Sequence, residues 1–337
     1  MSLLEYINEL LYSEIVGHLN NPVLIGVLFM DNNKNCKVKE KNHGLISVIF
    51  VYTIWGIQSL YWRIFQGIPL IQLLAHRIIW SVVLLIALII YTRKLKELIN
   101  VFMIKQRIYY IIMCSILIGS NWLLNIYAPY SNQVIEASLG HYITPIMVIC
   151  LGVFILKENI KLYEILGLVT ALIGVAIITI SFGRLPLIAI LLVLTFAIYT
   201  FLKKIMDIDS IIGITAETII LSPFALIYLT YMEFIGEGVL FKSSFQDILL
   251  LISTGIFTAI PLVLFTYGVK HVNLSKIGFI QYYAPTLSLI IGIFIFKESF
   301  TRIHLISFSF IWVAVLIVLL YPFFKKLKRT FQKEKNI

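Results

Sequence analysis

Few ionisable side chains interrupt the apolar runs of this chain, and those few have a choice of chemistry. Glu217 stands six residues into one run, with Thr215, Thr218 and Ser222-Pro223 close by. Arg77, between His76 and the later Trp80, stands at the corresponding depth of another run, 140 residues earlier. An ionised group in hydrocarbon costs at least about 2.5–3.5 kcal/mol, so each asks for a reason. A cation toward one mouth of an enclosed space and an acid toward the other would suit a small zwitterionic or anionic solute. Glu217 also reads as a proton carrier, or as a structural acid paired with a donor on a neighbouring helix. Arg77 also reads as a side chain that snorkels outward or braces the first run.

Uncharged polar residues extend the candidate set. Asn121 and Asn125 are four apart and share a helix face, with Trp122 beside them; at this depth asparagines glue helices or line a cavity. Gln281 and Tyr282, just before Pro285, could line the same path. Pro145 and Pro285 each remove a backbone donor within a run and free a carbonyl four residues earlier, which makes them hinge candidates. Glu136 falls at the outer end of its run, where hydration makes an acid cheap. His141 reads as a proton relay or as a packing residue.

Catalytic and metal constellations are not expected. Histidines never fall at i, i+4, cysteines lack ligand spacing, and neither GxSxG nor paired intramembrane carboxylates occur. Neither a P-loop nor a GxGxxG stretch is present to hold a nucleotide, so no cofactor is expected.

The elements that must position these residues follow from composition. Of 337 residues 60% are hydrophobic and only 13% charged, with a mean hydropathy of +0.96, so most of the chain cannot face water. Apolar runs near 20 residues long recur at about 45–63, 72–92, 108–128, 134–156, 161–181, 185–203, 211–232, 247–269, 275–296 and 303–324. That length crosses about 30 Å of hydrocarbon as a helix, whereas a barrel strand would be about 10 residues and alternate. The expected fold class is an all-α membrane protein with ten transmembrane helices.

The chain also repeats itself. Residues 140–158 and 280–298 align without a gap: Pro145 with Pro285, Gly152 with Gly292, Lys157-Glu158 with Lys297-Glu298. At the same offset Leu45 meets Leu185 and Arg63 meets Lys203, so the unit holds five runs. Five is odd, which predicts two inverted halves, 44–183 and 184–324, around a central cavity. Residues 1–43 form an N-terminal extension and cytoplasmic segment, of which 1–29 reads as dispensable or as a misplaced start before Met30. Residues 325–337 form a basic tail.

Charge sets the orientation. With a cytoplasmic amino terminus, 21 of the 27 Lys and Arg fall on inner segments, Lys203 and Lys204 among them, and Arg63, Arg184, Lys242, Lys297 and Arg302 fall outside. That bias fits the positive-inside rule with both termini cytoplasmic, and it removes the reason to invoke nucleic acid for the +10 net charge. Cys36, Cys114 and Cys150 build no disulfide framework.

The order of several short motifs resembles the EamA-type proteins of the drug/metabolite transporter superfamily. They are YTIWG (52–56), LLAHRIIWS (73–81), NWLLNIYA (121–128), EASLGHYITP (136–145), ETIILSP (217–223), IGFIQYYAPTLSLIIGIFIFKE (277–298) and ISFSFIWVA (306–314). The resemblance covers about 44–322 and implies ten spans in two EamA repeats, a bacterial plasma membrane, and transport of small metabolites or drugs. After EASLG the family pattern usually reads Tyr-Phe-Ile-Asn; here it is His141-Tyr142-Ile143-Thr144, so His141 gains no role from it. The expected activity is that of a secondary transporter, an exporter working by alternating access, with a passive channel or facilitator as the alternative. Expected partners are an unidentified small-molecule substrate and the lipid bilayer, with no nucleic acid, in a monomer or homodimer.

Overall fold

A computed structural model describes residues 29–65, 67–130, 134–183, 186–295 and 301–334. Among the described residues every regular element is helical. The α-helices are α1 (Phe29–Trp62), α2 (Leu70–Tyr91), α3 (Leu95–Met103), α4 (Lys105–Tyr130), α5 (Val134–Cys150), α6 (Leu162–Phe182), α7 (Leu187–Ile205), α8 (Ser210–Phe234), α9 (Phe245–His271), α10 (Leu274–Gln281), α11 (Tyr283–Phe294) and α12 (Arg302–Glu334). Seven of them, α2 and α4 to α9, are long and apolar enough to cross a membrane, α5 together with the wider turn that follows it. The three remaining apolar runs fall on α1, on α10 with α11, and on α12.

Three local features depart from the sequence reading. First, α1 already includes residues 29–43, so part of the expected extension is continuous with the first run; no proline or glycine stands between Met30 and His43 to stop it. Second, the short α3 lies in the loop after α2 and buries Leu98 and Val101. Third, the two prolines act differently. Helix α5 passes through Pro145 and widens into a π turn at Leu151–Ile155, whereas the equivalent run breaks between α10 and α11. Pro285 cannot donate to the carbonyl of Gln281, so α10 ends there and the proline sits in the first turn of α11, where its missing N–H costs nothing. Residues 1–28 and the Lys297-Glu298 copy of the repeated motif lie outside the described residues, as do the side chains of the basic tail.

The duplication is visible in the helix starts. Leu70, Lys105 and Leu162 open α2, α4 and α6, and Ser210, Phe245 and Arg302, each 140 residues later, open α8, α9 and α12. Contacts obey the same offset. Helix α1 packs on α9 and α11, and its counterpart α7 packs on α4 and α5. Helices α2 and α8 pack on each other, as do α5 with α10 and α6 with α12. Such an exchange of partners is what a two-fold relation between the halves requires.

One end of the bundle is tied by helix caps, which accounts for the Lys157-Glu158 pair. Lys157 takes a left-handed conformation (φ 52°) and turns the chain so that Glu158 accepts from Leu274 N at 2.8 Å and Ser275 N at 3.0 Å, at the start of α10. A Cβ at position 152 would come within 2.9 Å of both Glu158 Oε2 and Leu274 Cβ, so Gly152 makes room for the cap. At the same end Lys204 Nζ donates to the carbonyls of Lys270 (3.1 Å) and Val272 (2.7 Å), which close α9. Lys94 pairs with Asp209 at 2.8 Å, and Asp209 caps α8 through Ile211 N and Ile212 N. Cations at helix C-termini and acids at N-termini complement the helix dipole, so several of the orientation charges also serve as caps. Glu136, expected in a hydrated position, is buried and accepts from Ile188 N (2.6 Å) at the start of α7.

Candidate functional site

Two charged sockets occupy equivalent positions in the two halves. Glu217 lies seven residues after the start of α8 and is 1% exposed. Its Oε1 meets Lys203 Nζ at 2.6 Å and its Oε2 accepts from Tyr199 OH at 3.1 Å. Lys203 and Tyr199 come from one face of α7, four residues apart. Ser115 of α4, in the other half, donates to the Glu217 carbonyl at 3.2 Å. Lys203, counted from its sequence position among the inner-side charges, is itself 1% exposed and lies inside the bundle. The carboxylate is therefore occupied on both oxygens by an ion pair and a phenol. In a low-dielectric interior such a pair holds only because both charges are satisfied together.

Arg77 lies seven residues after the start of α2. Its Nε donates to Thr258 Oγ1 at 3.0 Å, and its Cζ stands 4.6 Å from the ring centre of Trp62 and 5.1 Å from that of Trp122. Trp62 ends α1, Trp122 belongs to α4 and Thr258 to α9, so both halves of the chain hold this side chain. Among the described residues Arg77 forms no ion pair, and it is half-buried. Arg77 and Glu217 therefore do not meet. Each is held by the first helix of its own half and by the third long helix of the other.

The remaining sequence candidates divide. Trp122 joins Arg77. Asn121 is buried and bridges α4 to α7 through Leu192 O (3.2 Å) and Thr195 Oγ1 (3.0 Å), while Asn125 donates to Asn121 O (2.8 Å) and Oδ1 (3.1 Å). Trp80 lies at the crossing of α2 and α9, where a Cβ at position 255 would fall 2.4 Å from its backbone carbon. His76 Nε2, Trp80 Nε1, Gln281 Oε1 and Tyr282 OH are buried without a hydrogen-bond partner among the described residues. Gln281 and Tyr282 flank the break between α10 and α11 and share neither a hydrogen bond nor a ring contact with Arg77. Nearby, Tyr142, the counterpart of Tyr282, donates to the Pro285 carbonyl at 3.2 Å. His141 is exposed.

Sequence reasoning missed Lys203, Tyr199, Trp62 and Thr258. A signal existed for the first two: Lys203 aligns with Arg63 across the repeat, and Tyr199 precedes it by one helical turn. Trp62 and Thr258 carried no signal, since their roles depend on which helices cross.

From Tyr199 of the Glu217 socket runs a chain of rings from three helices. Trp55 of α1 lies 5.9 Å from Phe196 of α7 and 5.3 Å from Phe265 of α9, Tyr52 lies 6.1 Å from Phe265, and Phe196 lies 6.3 Å from Tyr199. Tyr52, Tyr199 and Phe265 are fully buried.

Comparison with known proteins agrees with this division into halves. The profile of the EamA-like transporter family matches twice, at residues 42–180 and 185–320. The uncharacterized transporter YojE of Bacillus subtilis (strain 168) is 35% identical over 281 residues, 82% of this chain and 94% of YojE. Protein RarD of Escherichia coli (strain K12) is 33% identical over 279 residues, 83% of this chain and 94% of RarD. A solved crystal structure aligns with a TM-score of 0.61 at 16% identity, covering 84% of this chain and 98% of that one, a likeness of fold alone.

Proposed function

The chain belongs to the EamA-like transporter family of the drug/metabolite transporter superfamily, and from that premise we propose a secondary transporter that works by alternating access between two inverted five-helix halves. It spans the plasma membrane of a bacterium ten times, keeps both termini in the cytoplasm, and exports small metabolites or drugs. The observation that carries this reading is the grip on Arg77. One cation, half-buried, is held by Trp62 and Trp122 from the first half and by Thr258 from the second. A side chain shared by two bodies changes its surroundings when they rock against each other, which is what a substrate-binding group in an alternating-access carrier must do.

The opposite end supports a state closed toward the cytoplasm. There the Glu217–Lys203–Tyr199 cluster, the ring chain from Tyr52 to Phe265, and the caps made by Lys94, Lys204 and Glu158 fill or tie the helix ends. By charge placement the loops carrying these caps are cytoplasmic.

The test begins with metabolite profiles and drug tolerance of cells with and without the protein. The solute so identified is then followed in proteoliposomes under an imposed pH gradient. Accumulation beyond equilibrium, collapsed by a protonophore, is the expected result. Plain equilibration at any gradient would convert the reading to a facilitator.

A further inference from the structure

We propose that Arg77 and its aromatic walls form the binding site for an organic anion with a flat apolar body, the carboxylate or a like group seated on the guanidinium edge. The inference deepens the transport reading and rests on it.

Geometry carries the argument. Only Nε of Arg77 has a partner, Thr258 Oγ1, so the two terminal nitrogens keep their donors unused among the described residues. Both terminal nitrogens point from one end of a planar group, the fork that takes a carboxylate in two parallel hydrogen bonds. The guanidinium is gripped from three helices. On α2 the exposed residues are Ile71, Val83, Ile86, Ala87, Ile90 and Tyr91; at about 100° per residue Ile71, Val83, Ile86 and Ile90 lie at least about 120° around the helix from Arg77, and Tyr91 stands in the last turn. Most of the exposed stripe is thus on the other side, and the partners of Arg77 place its guanidinium among α1, α4 and α9.

Electrostatics then selects the sign of the ligand. An unpaired cation in a low-dielectric surrounding is costly, and an incoming anion offsets that cost while a neutral or cationic ligand cannot. Its counterpart across the repeat, Glu217, is taken by Lys203 and Tyr199 and does not compete. Trp62 and Trp122 stand against the guanidinium within cation–π range, and Tyr61, stacked on Phe257 at 4.2 Å, continues the wall. Its hydroxyl pairs with Ser253 Oγ at 2.6 Å, a polar lip beside an otherwise apolar surface. Such walls suit a planar hydrocarbon or aromatic body better than a hydrated one.

The experiment uses the full chain, purified in detergent and in proteoliposomes, with phenylacetate, its neutral amide phenylacetamide, and acetate as probes. Radiolabelled phenylacetate is expected to bind, with phenylacetamide and acetate each weaker by about tenfold or more, because one loses the charge and the other the body. Arg77→Gln should abolish binding. Arg77→Lys, which keeps the charge and loses the fork, should weaken it by about tenfold with unchanged thermal unfolding. The proposal is overturned if phenylacetate does not bind the wild type, if phenylacetamide competes equally, or if Arg77→Lys binds as tightly as the wild type. Flux separates this from the transport reading. Phenylacetate that binds but never crosses leaves the anion site and removes the carrier. Phenylacetamide that crosses as well as phenylacetate, undiminished by Arg77→Lys, leaves the carrier and removes the anion site.

Discussion

Arg77 and Glu217 stand at the same place in two copies of one scaffold, and their surroundings could hardly differ more. Glu217 is closed: Lys203 neutralises it, Tyr199 takes its second oxygen, and the cluster is sealed in the core. Arg77 is open: Thr258 takes one donor, two indole rings flank it, and its terminal nitrogens are unused among the described residues. A duplicated unit thus supplies two polar sockets, of which one has become a structural tie and the other a place to bind. Charge alone does not separate the two roles. What separates them is whether a partner of opposite sign reaches the socket from the neighbouring helix.

The strongest way to break that comparison is to open the closed socket. Lys203→Met leaves the Glu217 carboxylate buried and unpaired and should cost about 3–5 kcal/mol. The double change Lys203→Met with Glu217→Leu should recover most of that loss, because it removes both charges and keeps apolar volume. Thermal unfolding in detergent micelles measures both. A single variant as stable as the wild type would show that Glu217 is not a structural tie.

Next in size is the crossing that frames the open socket. Position 255 is the counterpart of position 115, serine in one half and glycine in the other. Ser115 reaches the Glu217 carbonyl, whereas a Cβ at Gly255 would fall 2.4 Å from Trp80 C and 2.6 Å from Trp80 O. Because backbone cannot yield as a side chain does, Gly255→Ser should cost about 1–3 kcal/mol by forcing α2 from α9. Ser115→Gly should cost only about 1 kcal/mol, the worth of one hydrogen bond. Equal losses in the two variants would mean that the halves cross with the same tightness.

Arg77→Gln tests the other side of the comparison. Stability should hold or rise slightly, since an unpaired cation is removed, while flux of the transported solute falls by about tenfold or more. Loss of stability without a specific loss of flux would make Arg77 a brace, the alternative its sequence position left open.

The smallest effect concerns the Lys94–Asp209 tie, which lies outside the spans. Burial works to raise the Asp209 carboxyl, but Lys94, the Ile212 N–H and Lys270 together outweigh it and hold it below the usual carboxylate value. A depressed acid stabilises the fold above its unfolded pKa of about 3.9, and the contribution is lost as pH falls through the lower folded value. Acidification below about pH 4 should therefore lower the unfolding temperature of the wild type, and less so for Asp209→Ala, which itself loses about 1 kcal/mol with its cap. Identical acid profiles for the two proteins would show that the tie contributes nothing.

Much of this was legible along the chain. Run length and composition specify helices that cross a membrane, since no other backbone arrangement with such apolar segments satisfies its own hydrogen bonds. Offset identity specifies the duplication, and the helix starts reproduce it residue for residue at Leu70 and Ser210 or Lys105 and Phe245. The list of polar residues inside the spans was also readable, because their cost in hydrocarbon makes each one stand out. Pairing was not readable. Lys203 was counted with Lys204 among the inner-side charges, yet a single helical step of about 100° in the last turn of α7 turns one into the core and the other onto the end of α9. Trp62 and Thr258 lie 196 residues apart and meet at one guanidinium. The sequence by itself determined the elements, their repetition and the residues with charge to dispose of. Only the tertiary structure decided which charge is cancelled and which is left for a ligand, because that depends on where helices cross, and local periodicity carries no record of the partner across the crossing.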